Sequence, residues 1–421
     1  MAQISFALAR LKRDPIADLP LAAHIDQALC GANVPWRDRL LTPLVTIRLF
    51  MIQILNGNCA IAALRRFVSF DFAPSSYCEA RIRLPLHLLQ STLQWLHEQA
   101  RLAVDGAVKI GQRVLIVDAV AHSMEDTPGL RAHFGLPSGV KEGVGYPVGK
   151  LMGLLDAVTG MFVSLLAMPL FQHDMRGAIS IHPMLRHGDI LLGDSAFCSF
   201  QHLAILVDRG VFACMRLHQR RDKKALGIQR WKRPTKPPAW MTAEQFQLLP
   251  KFLDVRIVRH EIVRKGHRTI IVLIATTLMD ETLWPDEKIL ELYGHRWNIE
   301  TCFDHLKTTM KMNVLRCKTV QGVQKELAVY LAVYNLVRLA MIRAAKNQRV
   351  NCWRISFVDA MRWLAAKMVG LCGVGKLIVN PPPRNRSQLR TIRRRTKKYV
   401  MLKKPRRQME AEMAEKQAKT A

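Results

Sequence analysis

Two short apolar runs, each closed by an aspartate, constrain this chain more than any other feature. Val114-Leu-Ile-Val117 precedes Asp118, and Ile190-Leu-Leu-Gly193 precedes Asp194. Runs of this length and composition read as strands. Both carboxylates are therefore expected at the carboxyl ends of strands, where sites form in open α/β sheets. Neighbouring strands lie about 4.8 Å apart, so adjacency would bring the two carboxylates near enough to share a metal ion.

The residues between and around these runs extend the pattern. Lys150 to Val158 and Met161 to Met168 form a hairpin turning at Thr159-Gly160, a helix starts near Asp174 and ends before Pro183, Ser199 to Arg209 is a second helix, and Val211 to Leu217 a further strand. The resulting order, β, β, β, α, β, α, β, describes a mixed sheet with helices on its faces and is the order of the ribonuclease H-like fold. Before it, Pro43 to Leu55, Cys59 to Val68 and Pro85 to Leu102 have helical apolar spacing. After it comes a basic, Pro-rich stretch and two β-rich runs, Phe252 to His260 and Thr269 to Thr277. From Pro285 to about residue 370 the chain is expected to be helical, interrupted near Asn313 to Val320. Its most apolar segment, Leu327 to Ala345, contains Asn335, Arg338 and Arg343, so it is read as a buried core helix rather than a membrane span.

Charge narrows the partner. The chain has 63 Lys and Arg against 33 Asp and Glu, a formal charge of +30, and a polyanion is the simplest compensation. Residues 384 to 407 hold 12 basic and no acidic residues; without them the remainder still carries +18, from 30 minus 12. Nine cysteines without a C-x-x-C pair indicate neither a disulfide framework nor a zinc ribbon. The N-terminal apolar stretch is broken by Arg10, Lys12 and Arg13, and the protein is read as not exported.

A third carboxylate is needed if two metal ions are to clamp the attacking and leaving oxygens of a phosphodiester. In the segment Tyr293-Gly-His-Arg296-Trp-Asn-Ile-Glu300-Thr-Cys-Phe-Asp-His-Leu-Lys307, helical rotation places Tyr293, Arg296, Glu300 and Lys307 within an arc of about 60°. A solvated surface face rarely gathers a tyrosine, two cations and a carboxylate in so narrow a stripe.

This spacing, Y-x2-R-x3-E-x6-K, resembles the signature of bacterial insertion-sequence transposases of family four, within the DDE transposase superfamily. The surroundings are similar too: Ser123-Met-Glu-Asp-Thr-Pro128, His-Phe-Gly-Leu-Pro137, Gly-Tyr-Pro147 and Gly-Asp194-Ser-Ala-Phe-Cys198. The likeness runs from roughly residue 35 to 350. It implies that Asp118, Asp194 and Glu300 are catalytic metal ligands for two Mg²⁺ ions, with Mn²⁺ able to substitute, and that Tyr293, Arg296 and Lys307 contact DNA phosphates near the scissile bond. Many relatives have Gly-Thr or Gly-Ser where this chain has Ala119-Val120, and Arg where it has Ser195. The departures touch an auxiliary phosphate contact, not the carboxylates. Similar proteins cut with an activated water, and in several the freed 3′-hydroxyl attacks the opposite strand to form a hairpin.

The expected organisation is a helical N-terminal DNA-end-binding domain (1–105), the first part of a ribonuclease H-like core (106–217), a β-rich insertion (218–284), a catalytic helix completing the core (285–320), a helical C-terminal region (321–380) and a basic, disordered tail (381–421). The expected partners are double-stranded DNA, as terminal inverted repeats and target, and further copies of the chain on that DNA. No membrane is expected, and the location is bacterial cytoplasm, at the nucleoid. A catalytically silent DNA-binding regulator and a ribonuclease H-like nuclease are the alternatives. The latter leaves the Tyr-Arg-Glu-Lys stripe unexplained.

Asp156 and Asp189 are explained by turn and strand-entry roles, and Glu125 and Asp126 by capping before Thr127-Pro128. Cys302 and His305, three apart, lack the second pair a tetrahedral metal site needs. Trp231, Trp240 and Trp284, in or beside the insertion, are read as packing residues.

Overall fold

The computed structural model describes residues 20–31, 36, 40–104, 112–137, 144–218, 221, 226–262, 270–368, 376–381, 402 and 404–420. The first nineteen residues and most of the basic stretch 384–407 lie outside them.

The amino-terminal helices are α1 (Leu21–Gly31), α2 (Pro43–Leu55), α3 (Pro74–Arg83) and α4 (Leu86–Val104). Thr42 caps α2, its hydroxyl accepting from the Val45 amide, with Pro43 at the first helical position. There follow β1 (Val114–Met124), the short α5 (Pro128–Phe134), absent from the expected order, the hairpin β2 (Val148–Asp156) and β3 (Phe162–Pro169), α6 (Asp174–Ile181), β4 (Ile190–Gly193), α7 (Phe200–Asp208) and β5 (Phe212–Arg216). Strand order is β3-β2-β1-β4-β5, antiparallel from β3 to β1 and parallel from β1 to β5. That is the ribonuclease H-like arrangement expected from the sequence.

The insertion differs from expectation in two respects. It holds three strands, β6 (Gly227–Lys232), β7 (Phe252–Ile262) and β8 (Ile270–Thr276), and β8 pairs antiparallel with β5 through Cys214 to Arg216. The insertion therefore prolongs the central sheet. The sequence of β6 carries little strand signal, because Arg230 and Lys232 dilute its apolar residues and Pro-rich sequence follows it.

The stripe-bearing segment is not one regular helix. It comprises α8 (Asp286–Gly294), a 3₁₀ turn (His295–Trp297), α9 (Asn298–Asp304) and a π-helical turn (His305–Thr309). A two-residue strand, β9 (Val314–Leu315), then pairs with the far end of β1.

The long helix α10 (Val320–Gln348) crosses the molecule. It is apolar and long enough to cross a membrane, yet 94% of its most apolar window is buried within the protein. Its polar residues fasten the β2–β3 hairpin. Asn335 accepts from the Phe162 amide at 3.1 Å and donates to the Phe162 carbonyl at 3.0 Å, the Tyr334 hydroxyl donates to the Gly160 carbonyl, and Arg338 donates to the Thr159 carbonyl. These pairings explain why a core helix carries Asn335 and Arg338. Side chains of α1, α2 and α4 share one apolar cluster with α10 and one face of the sheet.

The tail stretch expected to be disordered contains α11 (Arg406–Thr420). Arg406 donates to both Asp126 oxygens and to the Gly145 carbonyl, and Leu402 donates its amide to Val144.

Candidate functional site

The parallel pairing of β1 with β4 sets the core of the site. Val114, Leu115 and Ile116 lie opposite Ile190, Leu191 and Leu192. The constant offset, carried two residues further, brings Asp118 opposite Asp194. The β4–β5 pairing, carried one residue past Gly193 and Met215, brings Arg216 opposite Asp194 in turn. Side chains alternate faces along a strand, so Asp118 shares the face of Val114 and Ile116, Asp194 that of Ile190 and Leu192, and Arg216 that of Cys214. All five apolar residues belong to one cluster, with Phe303 and Leu306 over them. Asp118, Asp194 and Arg216 thus form a row on the face that the stripe-bearing segment covers.

Asp118 does not end its strand as the sequence suggested. β1 continues to Met124, paired with β2 throughout and with β9 at its tip. The apolar run stops at Asp118 because β4 stops there, opening one flank of β1.

Glu300 reaches this row through a small-for-large fit. Gly153 lies opposite Asp118 on β2, and a Cβ there would stand 2.9 Å from Cζ of Phe303. The missing side chain lets Phe303 seat against the sheet, packed on Phe162 at 5.5 Å between rings, and α9 follows with Glu300 one turn earlier. Arg296 bridges the acids: Nη2 is 3.1 Å from Glu300 Oε1 and Nη1 is 3.9 Å from Asp118 Oδ2. Its guanidinium lies over the exposed Trp297 ring at 3.9 Å. Tyr293 is buried where the charges of Arg296, Arg216 and Asp194 reach it; burial pushes its phenol up to about 12. Lys307, in the π turn, donates from Nζ to the Ala121 carbonyl at 2.9 Å, three residues along β1 from Asp118. The structure thus brings Asp118, Asp194, Tyr293, Arg296 and Glu300 together, with Lys307 beside them.

Burial pushes the Asp118 carboxyl up to about 6; the Ala119 amide and Arg296 pull it down, while Asp194 and Glu300 add to the rise. The ordinary value is 3.8, so the folded chain holds this proton more tightly than the unfolded chain between about pH 4 and 6. Stability accordingly falls as pH rises through that window. In EDTA, Asp118→Asn is expected to stabilise the protein at pH 7 by up to about 3 kcal/mol, the gain vanishing below about pH 4. Thermal melts at pH 4 to 7 measure this; a gain independent of pH, or none at pH 7, would contradict it.

An acidic site that raises its own pKa and has drawn a guanidinium between two carboxylates suits a further cation, and the all-oxygen donor set suits a hard one. Among the described residues, no three His, Cys, Asp or Glu side chains stand close enough to share one ion as they are. Arg296 stands between Asp118 and Glu300, and the Glu300 side chain is 50% exposed.

The competing residues have other occupations. Asp156 is buried in the hairpin turn, held by His97, Arg101 and the amides of Val158 and Thr159. Asp189 pairs with Arg113, and Asp126 with Arg131 and Arg406. Cys302 is buried beneath Gly160, and His305 stacks on Phe357 at 4.1 Å. Trp231 is buried, with Arg221 over its ring at 3.8 Å, and Lys288 lies over Trp284. Arg216 and Gly153 were not singled out from sequence. Arg216 had the same signal as the aspartates, a charged residue closing an apolar run.

Fold and site define a ribonuclease H-like protein in which Asp118 and Asp194 lie just past the parallel pairing of β1 with β4, beneath the stripe-bearing segment. Residues 109–336 match the family described as "Transposase DDE domain", and the chain belongs to that family. Over 157 residues it is 31% identical to "Transposase InsG for insertion sequence element IS4" of Escherichia coli (strain K12). The match covers 33% of this chain and 35% of that protein, so it spans about a third of the curated relative. Among solved structures, piggyBac transposase in a synaptic complex with hairpin DNA is similar at a TM-score of 0.42 and 9% identity, over 86% of this chain and 80% of that one.

Proposed function

We propose that this chain is an insertion-sequence DNA transposase that cuts the ends of its element and joins them to target DNA. The observation that carries the reading is the level placement of Asp118 and Asp194 by strand register, with Glu300 seated over them by Phe303. The match of residues 109–336 to the transposase DDE domain family supports the reading. Here Asp118, Asp194 and Glu300 would hold two Mg²⁺ ions, or Mn²⁺ in their place. When bound, these would favour the deprotonated attacking oxygen and offset charge on the leaving oxygen. In the first reaction water attacks phosphorus and the bond to the 3′-oxygen breaks, leaving a 3′-hydroxyl and a 5′-phosphate. In the second that hydroxyl attacks a target phosphodiester, displacing its 3′-oxygen.

Tyr293, Arg296 and Lys307 are assigned to DNA phosphates flanking the scissile bond, where cations and hydroxyls fix register and orientation. The basic body supplies the remaining attraction. Coordinated joining needs two DNA ends, so the active form is a homo-oligomer on DNA. The helical N-terminal region 1–105 is assigned to end binding, and the location is the bacterial cytoplasm, at the nucleoid.

The test incubates purified protein and Mg²⁺ with a labelled duplex carrying the gene's flanking inverted repeats, beside Asp194→Asn. Cleavage at the element boundary by the wild type alone supports the reading; binding without cleavage under Mg²⁺ and Mn²⁺ indicates a silent regulator. Lys307→Ala is expected to weaken end binding about tenfold, as loss of one charged contact does, and to slow cleavage. Gel-shift titration decides, and unchanged affinity would remove Lys307 from the DNA contacts.

A further inference from the structure

Two buried histidines that the reaction above does not use stand behind the loop that presents Asp194. That loop, residues 194–199, runs from β4 to α7 and orients its own carboxylate: Ala196 donates its amide to Asp194 Oδ1 at 2.9 Å, and Phe197 donates to the Asp194 carbonyl at 3.3 Å. Phe197 is buried, its ring beside Gly193 and in one apolar cluster with Met215. Its carbonyl lies 2.7 Å from Nδ1 of His202 on α7, and Nε2 of His202 lies 3.1 Å from Nε2 of His182, which follows α6. Both imidazoles are almost wholly buried, their rings 12° from parallel. The backbone of His182 is tied in turn by Arg209, donating to its carbonyl at 3.3 Å.

Burial lowers both histidines, to about 3 and about 4, so each ring is neutral at pH 7 and carries one proton. A carbonyl only accepts, which puts the His202 proton on Nδ1. Its Nε2 is then bare, and the 3.1 Å contact requires His182 to donate from Nε2. Every proton in the chain is thereby assigned by elimination. We infer that His182 and His202 are positioning residues for Asp194, a relay from His182 through His202 to the Phe197 carbonyl that fixes the peptides whose Ala196 amide aims the carboxylate. The inference rests on the proposed metal-dependent site. It explains why an otherwise apolar cluster beneath β4 admits two imidazoles: aliphatic side chains would fill the space without holding the loop.

The test has two readouts. Nitrogen-15 spectra of histidine-labelled full-length protein at pH 7 should show the Nδ1–H form for His202 and the Nε2–H form for His182, each assigned by loss of its signal in His202→Asn and His182→Gln. The reverse form for His202 would overturn the relay. Affinity for Mn²⁺, read by electron paramagnetic resonance, should fall about tenfold or more in His202→Phe, as for other groups that orient metal ligands. It should stay within about threefold in His202→Asn, whose amide can still donate to Phe197. Equal Mn²⁺ affinity in both variants and the wild type would overturn the positioning role. An Asp194→Asn control that binds Mn²⁺ like the wild type would instead overturn the underlying metal reading, a failure told apart because the wild-type histidine spectra do not depend on it.

Discussion

Glu300→Gln is expected to reduce cleavage at the element ends by about 10³-fold or more, a loss of about 4 kcal/mol in transition-state stabilisation, while leaving end binding within about twofold. Glu300 is half exposed and its contact in the site is with Arg296, so the fold does not depend on it. Glutamine has the same shape and can still accept from Arg296, but it lacks the charge needed to hold a divalent cation. Removing that charge from a chain already at +30 does not oppose DNA binding. Single-turnover cleavage beside a gel-shift titration separates the two effects. A variant cutting within tenfold of wild type would reject Glu300 as the third carboxylate; one that neither cuts nor binds would show that its role is structural.

Gly160→Ala is expected to cost about 3 to 5 kcal/mol of stability, the range for disrupting a buried charged group's pairing. Gly160 has φ of +66°, where L side chains are strained, and an added Cβ would fall 2.3 Å from Nη2 of Arg338. That guanidinium cannot retreat easily. It is fully buried, donates to the Thr159 carbonyl at 2.8 Å and lies over the Trp353 ring at 4.2 Å. Displacing it strips a charge of its acceptor and loosens the hairpin from α10 together. Denaturant unfolding compares variant and wild type; a loss below about 1 kcal/mol would mean only the glycine backbone preference had been felt and the arginine had moved freely.

Much of this was legible in the sequence, and the rest has identifiable physical reasons. Asp118 and Asp194 stood out because a charge inside a buried strand is costly unless it is paired or used, so a carboxylate closing an apolar run is conspicuous. Tyr293, Arg296, Glu300 and Lys307 stood out by helical phase, which survived although the segment mixes 3₁₀, α and π turns. Asn335 and Arg338 correctly marked α10 as a helix packed inside protein. What stayed hidden concerns partners distant in sequence. Nothing local to Ile270–Thr276 says that it will pair with β5, and nothing around Gly153 announces that Phe303, 150 residues later, needs its missing side chain. β1 appeared to stop at Asp118 because its apolar signal does; hydrogen bonds to β2 and β9 continue it where only one flank is open. The helix at Arg406–Thr420 was hidden by composition, since its start is held by polar contacts of Arg406 with Asp126 and the Gly145 carbonyl, which no apolar periodicity announces.

The carboxylates are adjustable in two different ways. Asp118 and Asp194 can slide past one another only by breaking the hydrogen-bond ladder, and a slip that keeps both on the same face must be two residues, about 6.6 Å. Their alignment therefore changes in coarse steps or not at all. Glu300 hangs on a segment whose overwound and underwound turns flank it, so small exchanges between them rotate and lift it by fractions of that distance. Sequence drift, or an engineer, could tune the reach of the third acid continuously while the other two stay locked together.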